Sequence, residues 1–294
     1  MGEFSRKKFK SLAIRARVVN VSDVPKQLSN DGKSNIYFDW RPLTNDEIGV
    51  KIVAGHVASF IESRRIAPQC VIGVPNSARD LGIETQKELM RRHPEMKPLD
   101  HPFLIAEKSH MEVGMLPGLA LDSEGKYAKK PQKAIVLDNT ITTGFSTARL
   151  VAKLREKGID VTDVVCLTKR NGLTPMPGLD DQEKINELKN IFKEHSRPRI
   201  GYNKALTSSE LFESLGIRFH SMSDDTELIG AYLSIHKLDE KRLTAINKEY
   251  ALDWGSRRLK EAARPIRADE KSLPKQIYAL LQEPDPDAVA LEPL

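Results

Sequence analysis

Apolar positions along the chain fall into two alternating patterns. From Thr44 the segment TNDEIGVKIVAGHVASFIESRR sets Ile48, Ile52, Val53, Val57, Phe60 and Ile61 at helical spacing, and Thr44 with Glu47 carries the signature of a capping box. CVIGV, Cys70 to Val74, is continuously apolar and reads as a short buried strand; it runs through PNSARDLG into ARDLGIETQKELMRR, a second amphipathic helix. FLIA, Phe103 to Ala106, is another strand-like run. After it comes a long polar, glycine-bearing segment up to Lys133 without periodicity, expected to be a functional or disordered loop. The order then repeats: strand Ala134 to Leu137, loop, helix STARLVAKLREKG stopped at Gly158, strand Asp163 to Thr168. Thr174 to Leu206, with its prolines and charges, reads as an inserted excursion, followed by helix SSELFESLG, strand IRFHSM and helix SDDTELIGAYLSIHKL.

Apolar strands alternating with amphipathic helices predict an α/β fold, a mostly parallel sheet flanked by helices. Ligands in such sheets sit at the carboxyl ends of the strands. The 294 residues suffice for one sizeable core with appendages. No apolar stretch is long enough to span a bilayer, and MGEFSRKKFKSLAIRARVVN lacks the apolar centre of a secretory signal, so a cytoplasmic location is the default expectation. Cys70 and Cys166 each sit inside an apolar run and make no metal-ligand spacing; buried free thiols in a reducing compartment are expected. The formal charge of +5 suits a polyanionic small molecule as well as nucleic acid, and the cluster Arg6, Lys7, Lys8, Lys10 reads as a solvated terminal arm.

Candidate chemistry concentrates in AIVLDNTITTGFSTARLV, from Ala134. A strand running into Thr142, Thr143, Gly144 and then a helix gathers backbone N–H groups in a concave turn at a helix N-terminus, an anion site by geometry and dipole. Gly144 permits close approach, and the Thr and Ser hydroxyls add donors. Asp138 at the strand tip, with Asn139 beside it, can hydrogen-bond the adjacent hydroxyls of a sugar whose phosphate lies in the turn. The same residues also suit an ordinary strand-to-helix turn in which Asp138 and Ser146 only cap.

AIVLDNTITTGFST resembles the phosphoribosyl-diphosphate (PRPP) motif of type I phosphoribosyltransferases. SNIYFDWRPL (Ser34 to Leu43), CVIGVPNSARDLG, EKSHMEVGMLPG and ESLGIRFHSM resemble, in family order, the segment before the first helix, the diphosphate loop, the mobile catalytic loop and the last strand of orotate phosphoribosyltransferases. The resemblance implies a small N-terminal hood within residues 1–43 and a phosphoribosyltransferase-like core at 44–238; the insertion 174–206 within it and the charge-rich helical tail at 239–294, whose last dozen residues are expected to be disordered, lie outside the match. It implies transfer of a phosphoribosyl group from PRPP to a base, orotate foremost, giving orotidine 5′-monophosphate and diphosphate. Asp138 would bind the ribose hydroxyls, with Asn139 and Thr140 beside it. Thr142, Thr143, Gly144, Ser146 and Thr147 would line the 5′-phosphate site, and Asn76, Ser77 and Arg79 the diphosphate loop. Lys108 and His110 would close over the diphosphate, often across a homodimer interface. Mg²⁺ would be held mainly by the diphosphate rather than by direct protein ligands.

Asn139, Phe145, Leu104, Ile105 and Ser77 depart from the family pattern. Asn139 stands where a second acid is usual and brings no negative charge to a developing oxocarbenium, so slower transfer is expected. Leu104 and Ile105 replace basic residues, and Ser77 replaces a lysine, with Arg79 as a nearby substitute. A phosphoribosyltransferase for another base and a catalytically weak PRPP-binding regulator remain as alternatives. Neither a membrane nor a nucleic-acid partner is expected. Tyr250, Trp254 and Tyr278 in the tail read as packing residues.

Overall fold

A computed structural model describes residues 3–27, 33–97, 100–106, 113–115, 133–170, 183, 186, 187, 207–236 and 238–250. Its centre is a four-stranded parallel sheet in the order β3 (Cys70–Gly73), β6 (Lys133–Ile141), β7 (Asp160–Lys169), β8 (Arg218–Asp224). β6 pairs with β3 from Cys70↔Ala134 and with β7 through Asp138↔Cys166, so its tip lies in the middle of the sheet's carboxyl edge. Both faces are covered, which explains why the strands read as unbroken apolar runs. Ile135, Leu137, Val165 and Leu167 face one core with α3 (Glu47–Ser63), whereas Val136, Val164 and Cys166 face a second core with α5 (Phe145–Glu156) and α6 (Ser208–Ser214).

The predicted helix beginning near Thr44 is present, but its cap is different. Asp46 is the N-cap, its carboxylate accepting from the backbone N–H groups of Ile48 and Gly49 at 3.0 and 2.6 Å. Thr44 instead ends the short helix α2 (Arg41–Thr44), and its hydroxyl donates to the Trp40 carbonyl. The Thr44–Glu47 spacing had the right letters two residues early; an ionised carboxylate at position 46 accepts two orphan N–H groups at once.

Two further expectations are corrected. The basic N-terminal cluster belongs to α1 (Arg6–Arg15), which buries Phe9, Leu12, Ala13 and Ile14 and keeps the lysines outside, while Arg6 pairs with Asp224 and Glu227. Within the segment read as a loop after Ala106, β5 (Val113–Met115) pairs antiparallel with β4 (Leu104–Ala106).

Over the sheet's carboxyl edge lies a hood. Its antiparallel pair, β1 (Val19–Gln27) and β2 (Lys33–Phe38), slips register between Val21 and Lys26. Trp40 fastens it down: the indole stacks on Phe9 at 5.1 Å and donates through Nε1 to the Thr168 hydroxyl at 3.0 Å. α7 (Asp225–Leu233) follows β8 with a capping box, and α8 (Glu240–Tyr250) packs on the hood, burying Ile246 and Tyr250. Glu249 of α8 accepts from the Ser34 hydroxyl and from the Asn35 N–H at 2.9 Å, and lies 3.8 Å from the buried Arg170 guanidinium. The first turns of the tail are therefore part of the hood's structure. Trp254, Tyr278, residues 251–294 and most of the 174–206 insertion lie outside the described residues.

Candidate active site

The strand β6 carries the polar residues Asp138, Asn139 and Thr140 near its end, still paired with β7, and then meets a turn. That turn, Thr142 to Gly144, delivers the chain into α5 with Gly144 as N-cap at φ 82°, ψ 3°. A left-handed conformation at this point suits glycine, since a Cβ would be strained there. It would also meet the Phe212 ring edge at 3.0 Å. The N-cap glycine offers no side-chain acceptor; the Phe145 N–H reaches the Thr143 hydroxyl at 3.4 Å, and the start of α5 carries the partial positive charge of the helix dipole.

A cavity of about 250 Å³ opens there, which matches part of a ligand rather than a large one. One wall is the hydroxyl-rich turn and helix start: Thr140, Thr142, Thr143, Gly144, Ser146 and Thr147. Opposite them stand Val74, Pro75 and Ser77 from the turn that follows β3, and Asp138 contributes the carboxylate at the base. Donors from a helix start and hydroxyls facing a single acid make a site for a ligand with an anionic end and a hydroxylated end.

Asp138 is 7% exposed. Its Oδ1 accepts from the Ser77 hydroxyl and from the Asn139 N–H, each at 2.8 Å, and its Oδ2 accepts from the Thr147 hydroxyl at 2.8 Å. Burial raises its proton affinity above the ordinary carboxylate range, against these three donors, which hold it down. An ionised carboxylate offers about four acceptor sites. One remains for an incoming hydroxyl; the bonds from Ser77 and Thr147 tie together the two walls of the cavity, and the Asn139 N–H holds the carboxylate against its own strand.

Of the residues singled out in sequence, Ser77, Asp138, Thr140, Thr142, Thr143, Gly144, Ser146 and Thr147 line this one cavity. Three do not. Asn76 is exposed at φ 63°, a conformation asparagine tolerates better than most residues, and Arg79 is exposed on the first turn of α4 (Arg79–Arg92). Asn139 is buried behind the strand tip, where its amide donates to the Ser77 carbonyl and, at 3.3 Å, to the Thr44 hydroxyl. Successive strand residues point to opposite faces. Asp138 shares the face of Val136 and Asn139 that of Leu137. Lys108 and His110 lie outside the described residues; the β4–β5 pair, with Leu104 opposite Met115, brackets them. Arg170 was missed by sequence reasoning. It is 3% exposed, donates to the Ser34 hydroxyl at 2.9 Å and bonds through its backbone N–H to Ile141 of the cavity wall. A lone arginine after a strand carries no local signal of burial.

No family model matches the chain. Over 158 residues, 53% of this chain and 80% of the relative, it is 27% identical to the orotate phosphoribosyltransferase of Leptospira biflexa serovar Patoc, recorded for two strains. Among solved structures, the orotate phosphoribosyltransferase of Francisella tularensis superposes with a TM-score of 0.50 at 14% identity, covering 82% of this chain and 96% of that one. The UMP synthase of Leishmania donovani gives 0.53 at 14% identity, covering 83% of this chain and 41% of that one. The parallel sheet flanked by helices is the fold that this chain shares with these solved structures. In sequence the likeness is to an orotate phosphoribosyltransferase.

Proposed function

We propose that the chain transfers the phosphoribosyl group of PRPP to orotate, giving orotidine 5′-monophosphate and diphosphate. The observation that carries this reading is the cavity at the end of β6, which a helix start with its threonine hydroxyls lines together with the buried Asp138. The 5′-phosphate lies against Thr142, Thr143, Gly144 and Ser146, and Asp138 accepts from a ribose hydroxyl. The bond from ribose C1 to the diphosphate oxygen breaks, its electron pair leaving with diphosphate, while a ring nitrogen of orotate forms the new bond to C1 and releases its proton. Negative charge growing on the leaving group calls for donors fixed in advance. Lys108 and His110 are assigned to that task by their match to the family's mobile loop, as charge partner and proton donor.

Mg²⁺ belongs to the proposal as an ion carried by the diphosphate. The fit is in the donor set: hard oxygen ligands with one carboxylate in the cavity, too few for an all-protein cage but suited to an ion that keeps waters and phosphate oxygens. When bound it neutralises charge on the leaving group. A homodimer and a cytoplasmic location complete the reading; the free, buried thiols of Cys70 and Cys166 suit a reducing compartment, and no described helix is long and apolar enough to cross a membrane. The test mixes the purified full chain with Mg²⁺, PRPP and orotate and follows orotate absorbance. Loss of signal only with PRPP present is expected. Diphosphate release with a different base alone, or PRPP binding without turnover, overturns the choice of orotate or of enzyme respectively.

A further inference from the structure

Asn139 stands at the place where an acid would be expected to touch the sugar, yet it lines no part of the cavity. Its position follows from strand parity. Asp138 continues the face of Ala134 and Val136 towards α5, and Asn139 continues the face of Ile135 and Leu137 towards α2 and α3. Its amide N–H₂ group meets two oxygens there, the Ser77 carbonyl and the Thr44 hydroxyl. A backbone carbonyl only accepts, which determines which end of the amide faces it.

We propose that Asn139 is a positioning residue: it holds the turn after β3 by the Ser77 carbonyl while Asp138 holds the same residue by its hydroxyl, so that Ser77 is clamped over the strand tip from both sides. This rests on the PRPP reading for its kinetic consequence but not for the clamp itself. The amide is then a required donor. An aspartate at 139 would aim an acceptor-only oxygen at an acceptor-only carbonyl, next to the carboxylate of Asp138, and the turn would be pushed from the cavity. Asn139 Oδ1, buried and without a partner, shows what is kept for this donor, since an unpaired buried oxygen is unfavourable.

The experiment compares the full chain with Asn139→Ala and Asn139→Asp. Amide hydrogen exchange on the ligand-free proteins covers residues 74–82, where Ala78 N–H donates to the Val74 carbonyl and Gly82 N–H to the Ala78 carbonyl. Faster exchange in both variants, larger for the aspartate, is expected; unchanged protection overturns the clamp. Steady-state kinetics with Mg²⁺, PRPP and orotate are expected to show KM for PRPP raised about tenfold in N139A and more in N139D, with kcat within about threefold, the size of one lost hydrogen bond to a buried carbonyl. An N139D protein that binds PRPP more tightly or turns over faster than the natural chain overturns the proposal and makes Asn139 a lost ribose contact. If the natural chain binds no PRPP by calorimetry, the functional reading fails, and the exchange comparison still decides the clamp.

Discussion

Replacing Gly144 by alanine tests the joint between the sheet and the cradle. The backbone there is left-handed at φ 82°, which costs an L-residue about 1–2 kcal/mol. A Cβ would also lie 3.0 Å from both Cε2 and Cζ of Phe212, a ring fully buried and packed at 5.0 Å against Phe219. The ring edge must shift by a few tenths of an ångström in a filled core, which adds about 1–2 kcal/mol, the lower part of the range for overpacking. The sum is about 2–4 kcal/mol, a large share of the stability of an ordinary domain. Gly216→Ala isolates the backbone contribution, because Gly216 is also left-handed, at φ 69°, with nothing within 4 Å of a built Cβ. Urea unfolding of the two variants, read at unchanged slope, should place G144A at least about 1 kcal/mol below G216A. Equal midpoints would refute the contact with Phe212 as the reason the turn needs glycine.

Other outcomes follow from the same geometry. Asp163 bonds to His220 and Arg218 at 2.7 Å; burial pulls its carboxyl up, but His220, Arg218 and Thr162 outweigh it and hold the group at about 2, against an ordinary 3.8. A depressed carboxyl stabilises the fold above its unfolded value, so acid unfolding should draw on Asp163 as pH falls from about 4 towards 2. Asp163→Asn should flatten that limb and cost on the order of 1 kcal/mol at neutral pH, the exposed Arg218 being screened by solvent. Glu249→Ala leaves the buried Arg170 beside the Ser34 hydroxyl without its acid and should cost about 3 kcal/mol in thermal or urea unfolding, more than Glu47→Ala, whose partner Lys51 is exposed. Trp40→Ala removes the stack on Phe9 and the bond to Thr168 and should cost about 3–5 kcal/mol; a loss under about 1 kcal/mol would mean the hood is not fastened there.

By itself the sequence determined the sheet's strands and the helices between them, because runs such as Val71-Ile72 and Ile135-Val136-Leu137, and stripes such as Val53-Val57-Phe60, report burial within a few residues of chain. It determined the cradle too, since Asp138 and Thr142 to Thr147 are adjacent along the chain and a strand-to-helix turn has few shapes. The hood pair was not legible: VNVSDVPKQ interrupts its alternation with Pro25 and a register slip. Only the tertiary structure decided that Glu249 reaches Ser34, more than two hundred residues away in sequence, as well as Arg170, and that Asn139 faces Ser77 rather than the cavity. A strand buried on both sides carries no polar alternation to mark its faces, so which of Asp138 and Asn139 meets a ligand depends on what packs against each side.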